Sequence, residues 1–198
     1  EQQEQIKNFS KANDVTYFNI LQTVWGIVLQ KLNSVNDVVF GAVIAGRPAE
    51  LEGVEEVVGL FINTIPVKVS REENFKKTVK NVQMQFNQSN TFGYLPLNEI
   101  SKFSSLGSEL INHILIYENY PLDEKTKELN EKKSTFKLEG LETDEVTNFD
   151  FTITILPTTN LTITFDYNSA VFEAESIDKI RNCFVNVFDE VLKTPERE

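Results

Sequence analysis

His113 is the only histidine in the chain, and so the one side chain whose ordinary pKa suits it to general-base work near neutrality. It lies in the β-branched run Ile111–Tyr117. A histidine base needs an orienting carboxylate and a nucleophile within hydrogen-bond reach, and no sequence neighbour supplies either, so His113 is read as strand packing. The single cysteine, Cys183, stands within an apolar helical pattern and is read as a buried, inert thiol. The close acidic pairs Glu55 with Glu56 and Glu142 with Asp144 fall in loops, where two carboxylates are solvated rather than set against each other for acid–base work. The sequence contains no Cys-x-x-Cys, no His-Glu-x-x-His, no Gly-x-Ser-x-Gly and no phosphate-binding glycine loop, and it has too few His and Cys for a zinc site. It therefore holds no self-sufficient active site: no catalytic residue and no metal ligand is assigned.

The most composed arrangement runs from Asp37 to Val69. Val38 to Ala45 is an almost unbroken apolar run, as expected of a strand covered on both faces near the middle of a sheet. Gly46-Arg47-Pro48 closes it. Val54–Gly59 reads as one helical turn ended by a glycine suited to positive φ, and Phe61-Ile62-Asn63-Thr64 leads into a second strand. In that strand Ile65, Val67 and Val69 alternate with Pro66 and Lys68, the period of a half-buried edge. Within the loop, the glycines permit close backbone approach, Arg47 is placed to hold a carboxylate, and Asn63 and Thr64 can cap loop backbone groups.

The elements that must position this loop are legible from hydrophobic period. Ile6, Phe9 and Ala12 suggest a short helix over residues 2–13. Thr16 N-caps a core helix to Leu32 whose apolar face includes Trp25, read as core rather than as a ligand platform. Ser70-x-x-Glu73 has the spacing of a capping box before a helix carrying Phe75, Val79, Val82 and Phe86 on one stripe. Ile111–Tyr117 predicts a third strand, and Asp123–Lys133 a solvated charged loop. Phe149–Ile155 and Leu161–Tyr167 alternate strictly around a Pro-Thr-Thr-Asn turn, predicting a hairpin with aromatic and β-branched side chains on one face and Thr and Asp on the other. A last helix spans about Glu175 to Lys193. Long helices among antiparallel strands imply an α/β two-layer sandwich, a mixed and mainly antiparallel sheet covered by helices.

Gly46-Arg47-Pro48 followed by Gly59-Leu60-Phe61-Ile62-Asn63-Thr64 closely resembles the second half of the condensation domain of nonribosomal peptide synthetases. There a strand ending in Gly-Arg-Pro precedes a Gly-x-Phe-Ile/Val-Asn-Thr motif. The resemblance implies that residues 1–198 form the C-terminal subdomain, a chloramphenicol acetyltransferase-like lobe. It also implies that Gly46, Arg47, Gly59, Phe61, Asn63 and Thr64 build the floor loop beneath a substrate tunnel. The family joins an acyl or peptidyl thioester to an aminoacyl thioester, both carried on phosphopantetheine arms. Its His-His-x-x-x-Asp-Gly motif belongs to the N-terminal lobe and does not occur here. The implied partners are that lobe, peptidyl and aminoacyl carrier proteins and an adjacent adenylation domain; no cofactor is expected on this chain itself. At Tyr94–Ile100 the family often has a His-Gln-Asp-Tyr-Pro-Phe-Glu type motif, of which only Pro96 and an apolar neighbour survive. The equivalent lobe of an epimerisation or cyclisation domain, and a freestanding acyltransferase-like binding module, remain alternatives.

Composition narrows the field further. A chain of 198 residues with 40% hydrophobic content and 15 Phe suffices for one compact core. Its formal charge of −11 repels phosphate backbones and anionic membranes, so neither nucleic acid nor membrane is an expected partner. No apolar run approaches the roughly 18 residues that span a bilayer, Glu1 opens no signal-peptide pattern, and one cysteine cannot form an internal disulfide. A cytoplasmic piece of a longer protein is the expectation.

Overall fold

A computed structural model describes residues 2–47, 51–54, 56–118, 147–157 and 161–197. The expected charged loop at Asp123–Lys133, the pair Glu142 and Asp144, and Glu55 lie outside the described residues. The elements follow in the order α1 (Gln2–Asn13), α2 (Tyr17–Asn33), β1 (Asp37–Ile44), β2 (Asn63–Ser70), α3 (Phe75–Asn90), α4 (Leu97–Ser101), a 3₁₀ turn (Gly107–Leu110), β3 (Ile114–Tyr117), β4 (Phe151–Pro157), β5 (Leu161–Tyr167) and α5 (Ala174–Lys193).

Five strands form one sheet in the order β2-β1-β3-β4-β5. β1 pairs antiparallel with β2 over eight residue pairs, and β4 with β5 over seven. The parallel pairings, β1 with β3 and β3 with β4, extend over two and four. The sheet is thus mixed, with antiparallel ladders supplying most of its length. β2 is an edge strand, as suits its Pro66, which has no N–H to donate to a ladder.

Strand alternation sorts the faces. Phe40 and Ala42, Val67 and Val69, Leu115, Phe151, Ile153 and Ile155 face the helices in one continuous core, and Ile163, Phe165 and Tyr167 pack against it half-buried. Thr162, Thr164 and Asp166 of β5 point the other way and are exposed. The hairpin therefore keeps the face assignment that its alternation predicts.

α2 is the central helix of the covering layer. The Thr16 hydroxyl accepts from the Asn19 N–H at its start, and Ser34 ends it in the left-handed region with φ 55°. Ile20, Leu21, Val24, Trp25 and Val28 are buried almost completely. A Cβ on Gly26 would lie 2.5 Å from the Val69 side chain, so only glycine lets the helix settle this close to β2. Cys183, on α5, is half-buried at the margin of the core rather than fully enclosed.

Several boundaries differ from the sequence reading: β4 spans Phe151–Pro157 rather than Phe149–Ile155, and β2 already begins at Asn63. α3 begins at Phe75 under Asn74, whose side chain accepts from the Lys77 N–H, so the Ser70 and Glu73 capping box does not form. Ser70 instead ends β2, where its hydroxyl donates to the Asp37 carboxylate at 2.6 Å and closes the β1–β2 ladder. The third strand starts at Ile114, because Ile111 packs near Gly41 before the ladder begins.

His113 lies just ahead of β3, with 9% of its surface exposed, among Trp25, Phe40 and Phe151. The Trp25 indole N–H, which can only donate, gives its hydrogen bond to Nε2 at 2.9 Å. The ring proton must then sit on Nδ1, 2.6 Å from the Asn112 amide oxygen, and the imidazole is neutral. Burial agrees, pushing its pKa from 6.5 down to about 4. The unfolded chain takes up this proton below pH 6.5 and the folded chain does not until about pH 4, so stability is complete above 6.5 and falls as the pH drops. The expected loss approaches about 1.4 kcal/mol per pH unit between 6 and 4.5. Denaturant titrations of the wild type and His113→Leu across that window check this; parallel pH profiles for the two would refute it.

Candidate functional site

The candidate site is the loop between β1 and β2, and its geometry starts at a narrow neck. Gly46, two residues beyond β1, has φ 63°, and a Cβ placed there would lie 1.8 Å from the Phe61 carbonyl oxygen. Outgoing and returning limbs therefore touch backbone to backbone. Gly53 holds the second positive φ, 74°, within the turns at the loop's far end. There the Val54 N–H donates to Leu51 O, Glu56 N–H to Gly53 O and Val57 N–H to Val54 O. Gly59 is not in the left-handed region, and a Cβ there would meet the Phe61 ring at 3.3 Å. The special conformation expected at Gly59 is thus carried by Gly46 and Gly53, since the chain reverses at the neck and at the tip rather than just before β2.

Arg47 organises the interior of the loop, and among the described residues its partners are backbone carbonyls and a ring. Its Nη1 donates to the carbonyl oxygens of Val54 and Val57, the latter at 3.1 Å, and its guanidinium lies 4.3 Å from the Phe61 ring centroid. One planar cation so joins the outgoing limb, the tip and the returning limb.

Asn63 and Thr64 part company at the start of β2. Being adjacent in a strand, they face opposite sides of the sheet. Asn63 points to the helix side, where its Nδ2 donates to Gly93 O and Leu95 O, each at 2.7 Å, and its Oδ1 accepts from the Thr64 N–H. It ties β2 to the segment after α3, rather than the loop to itself. Gly93 sits closely against β1: a Cβ there would fall 2.4 Å from Ile44 Cδ1, the free end of that side chain, and 3.0 Å from Asn90 O. Thr64 lies on the opposite face, its methyl 2.9 Å from where a Gly41 Cβ would stand, beside Ile111 and Ile114.

All six candidates, Gly46, Arg47, Gly59, Phe61, Asn63 and Thr64, thus belong to one frame, but they do different work. Gly46, Arg47 and Phe61 form the clamp, Asn63 is an anchor, Thr64 packs on the sheet, and Gly59 adjoins the Phe61 ring. The returning limb is apolar and bare: Val58 is 99% exposed, Leu60 92%, and Ile62 more than half. Phe103, after α4, is 92% exposed. The frame can shape and close a surface. Among the described residues no three His, Cys, Asp or Glu side chains gather to hold a metal, and no helix is long and apolar enough to cross a membrane. The sequence reading missed the carbonyls of Gly93 and Leu95 as partners, and only the conjunction of Gly93 with Pro96 marked a turn there.

The condensation-domain family model matches residues 1–198, the whole chain. The chain belongs to the condensation-domain family. Gramicidin S synthase 2 of Brevibacillus brevis is 41% identical over 180 residues, covering 89% of this chain and 4% of the synthase. Tyrocidine synthase 2 of Brevibacillus parabrevis is 38% identical over 189 residues, covering 93% of the chain and 5% of that protein. The condensation-domain chain thus spans about a twentieth of these relatives. The fold is shared with a four-domain nonribosomal peptide synthetase bound to AMP and glycine, at TM-score 0.80, 21% identity and coverage of 99% of this chain and 16% of that one. The condensation domain of monacolin K polyketide synthase superposes at TM-score 0.78 and 15% identity, covering 98% of this chain and 45% of that one. The five-stranded mixed sheet with its helical layer is thus the condensation-domain, chloramphenicol acetyltransferase-like architecture.

The geometry ranks the substitutions. Gly46→Ala meets both a positive φ and a carbonyl oxygen and should lower stability by more than about 2 kcal/mol. Asn63→Ala strips the donor from two carbonyls and should cost about 1 to 3 kcal/mol. Gly59→Ala should stay within about 1 kcal/mol. Thermal unfolding of the three variants decides, and a Gly59 variant less stable than the Gly46 variant would contradict the clamp.

Proposed function

We propose that this chain is the C-terminal lobe of a nonribosomal peptide synthetase condensation domain, and that its β1–β2 loop forms the floor of the tunnel in which amide bonds are made. The observation that carries the reading is His113: the only histidine is neutral, buried and engaged on both nitrogens. The lobe cannot take a proton from an amine with it. In the reaction the amine nitrogen attacks the thioester carbonyl, the tetrahedral oxyanion collapses, the C–S bond breaks and the thiolate leaves. The base that takes the ammonium proton, and the donors for the oxyanion, come from the other lobe with its His-His-x-x-x-Asp-Gly motif.

This lobe contributes shape. The clamped loop gives a rigid floor, and Val58, Leu60 and Ile62 give an apolar surface of the kind that a second lobe covers. Coverage of just under half of a solved condensation domain supports the single-lobe reading. On this reading the substrates arrive on phosphopantetheine arms of peptidyl and aminoacyl carrier proteins, an adenylation domain adjoins in the same synthetase, and the protein is cytoplasmic. Gly46, Arg47, Gly59, Phe61, Asn63 and Thr64 then serve the tunnel floor through backbone order and not through chemistry at the carbonyl.

A reconstitution assay with two loaded carrier proteins tests the proposal. The chain alone should give no peptide above the carrier-only background, and the chain joined to a histidine-motif lobe should give turnover. Turnover by the chain alone that is lost in His113→Ala would overturn it. Light scattering provides a second measure: the lone chain should self-associate weakly, and Leu60→Ser or addition of the first lobe should reduce that association.

A further inference from the structure

At the far end of the sheet from the loop, a cavity of about 460 Å³ opens between the end of α2, the start of α3 and the end of α5. Its walls include Ile27, Phe75, Val187 and Val191, which give it an apolar floor. Gln30 also lines it and is 8% exposed. Both hydrogen bonds of its side chain leave from Nε2, to Asn36 O at 2.7 Å and Val69 O at 3.1 Å. Its Oε1 accepts from no group among the described residues. A nine-tenths-buried amide held fast by its nitrogen thus keeps one acceptor for whatever enters the cavity.

The charges at the mouth point to the visitor. Lys31 and Arg71 line it and neither is ion-paired among the described residues. Arg197 is paired with Glu190 at 3.0 Å, and the Glu72 carboxylate accepts from the Asn81 amide. Three cations against two occupied carboxylates make this wall locally positive on a chain whose net charge is −11.

We propose that this cavity is a docking site for an extended peptide segment bearing an acidic side chain next to an apolar one. A backbone N–H of the segment donates to Gln30 Oε1, the carboxylate lies between Lys31 and Arg71, and the apolar neighbour covers Phe75 and Val191. Every peptide residue except proline offers a backbone N–H for Gln30 Oε1, whereas a simple anion satisfies the cations and leaves the amide oxygen and the apolar floor unmet. The site is separate from the proposed tunnel floor: Arg71 follows the last residue of β2, which pairs with the first residue of β1, and the floor loop begins beyond the last residue of β1.

Fluorescence anisotropy with the fluorescein-labelled peptide Gly-Leu-Asp-Leu-Ala-amide tests this on the full chain. The expected result is saturable binding, weakened about tenfold or more by Arg71→Glu and by Lys31→Glu. A peptide with Lys in place of its Asp should bind Arg71→Glu better than wild type, and far-UV circular dichroism and melting confirm that both variants fold. Leu60→Ser on the floor loop should leave the affinity unchanged, so failure here and failure of the tunnel-floor reading are told apart. Absence of saturable binding up to millimolar peptide, or equal affinity in wild type and both charge variants, overturns the proposal. Displacement by N-acetyl-aspartate at the same concentration as by unlabelled peptide also overturns it, since the site would then recognise an anion alone.

Discussion

The structure depends on how α2 meets the sheet. On one side Gly26 lets the helix sink onto Val69 of β2; on the other the Trp25 indole reaches across to His113 at the root of β3. β1 lies between those two strands and puts Phe40 into the same aromatic cluster. A hydrogen bond between two neutral rings suits this place: it satisfies both polar atoms in an apolar interior without the cost of burying a charge. With α2 fixed, the sheet has a rigid back, and the loop at the end of β1 has a firm base from which to project.

The loop is ordered by a different device. Where α2 is held by shape, the loop is held by a cation that serves as a multiple donor. The planar guanidinium of Arg47 satisfies two carbonyls through Nη1 and lies over an aromatic ring, a flat shape that a lysine ammonium does not offer. Asn63 acts similarly on a smaller scale, one amide nitrogen bridging two carbonyls of the segment that follows α3. Both residues spend their polar groups on backbone. The apolar side chains of the returning limb are left bare, which separates the framework of the loop from its outward face.

What could be seen in the sequence was what repeats at short range. The alternation in Phe149–Ile155 and Leu161–Tyr167 gave the hairpin, and the step of three and four in α2 gave Trp25 as core; of the motif residues, Gly46, Arg47, Gly59 and Phe61 lie in one loop and Asn63 and Thr64 open β2. What could not be seen was long-range partnership. His113 and Trp25 are 88 residues apart and Asn63 reaches 32 residues to Leu95, distances at which spacing carries no signal. The choice between Gly46 and Gly59 for positive φ required knowing where the two limbs touch, and Ser70 looked like a cap because its competing partner, Asp37, is brought near only by the β1–β2 ladder. In each case local pattern proposed a role and tertiary contact decided it.

The sheet is also unevenly stitched. Its two antiparallel ladders join strands close in sequence over eight and seven pairs, while β1 meets β3 over only Gly41 with Ile114 and Ala42 with Leu115, residues some seventy positions apart. Closing so long a span costs more chain entropy than closing either hairpin, and two pairs return little against it. The line between β1 and β3 is therefore the shortest pairing in the sheet, with the β1–β2 ladder on one side of it and β3–β4–β5 on the other. α2 spans that line, set against Val69 of β2 on one side and hydrogen-bonded to His113 at the root of β3 on the other, and so splints the seam where the strands themselves pair least.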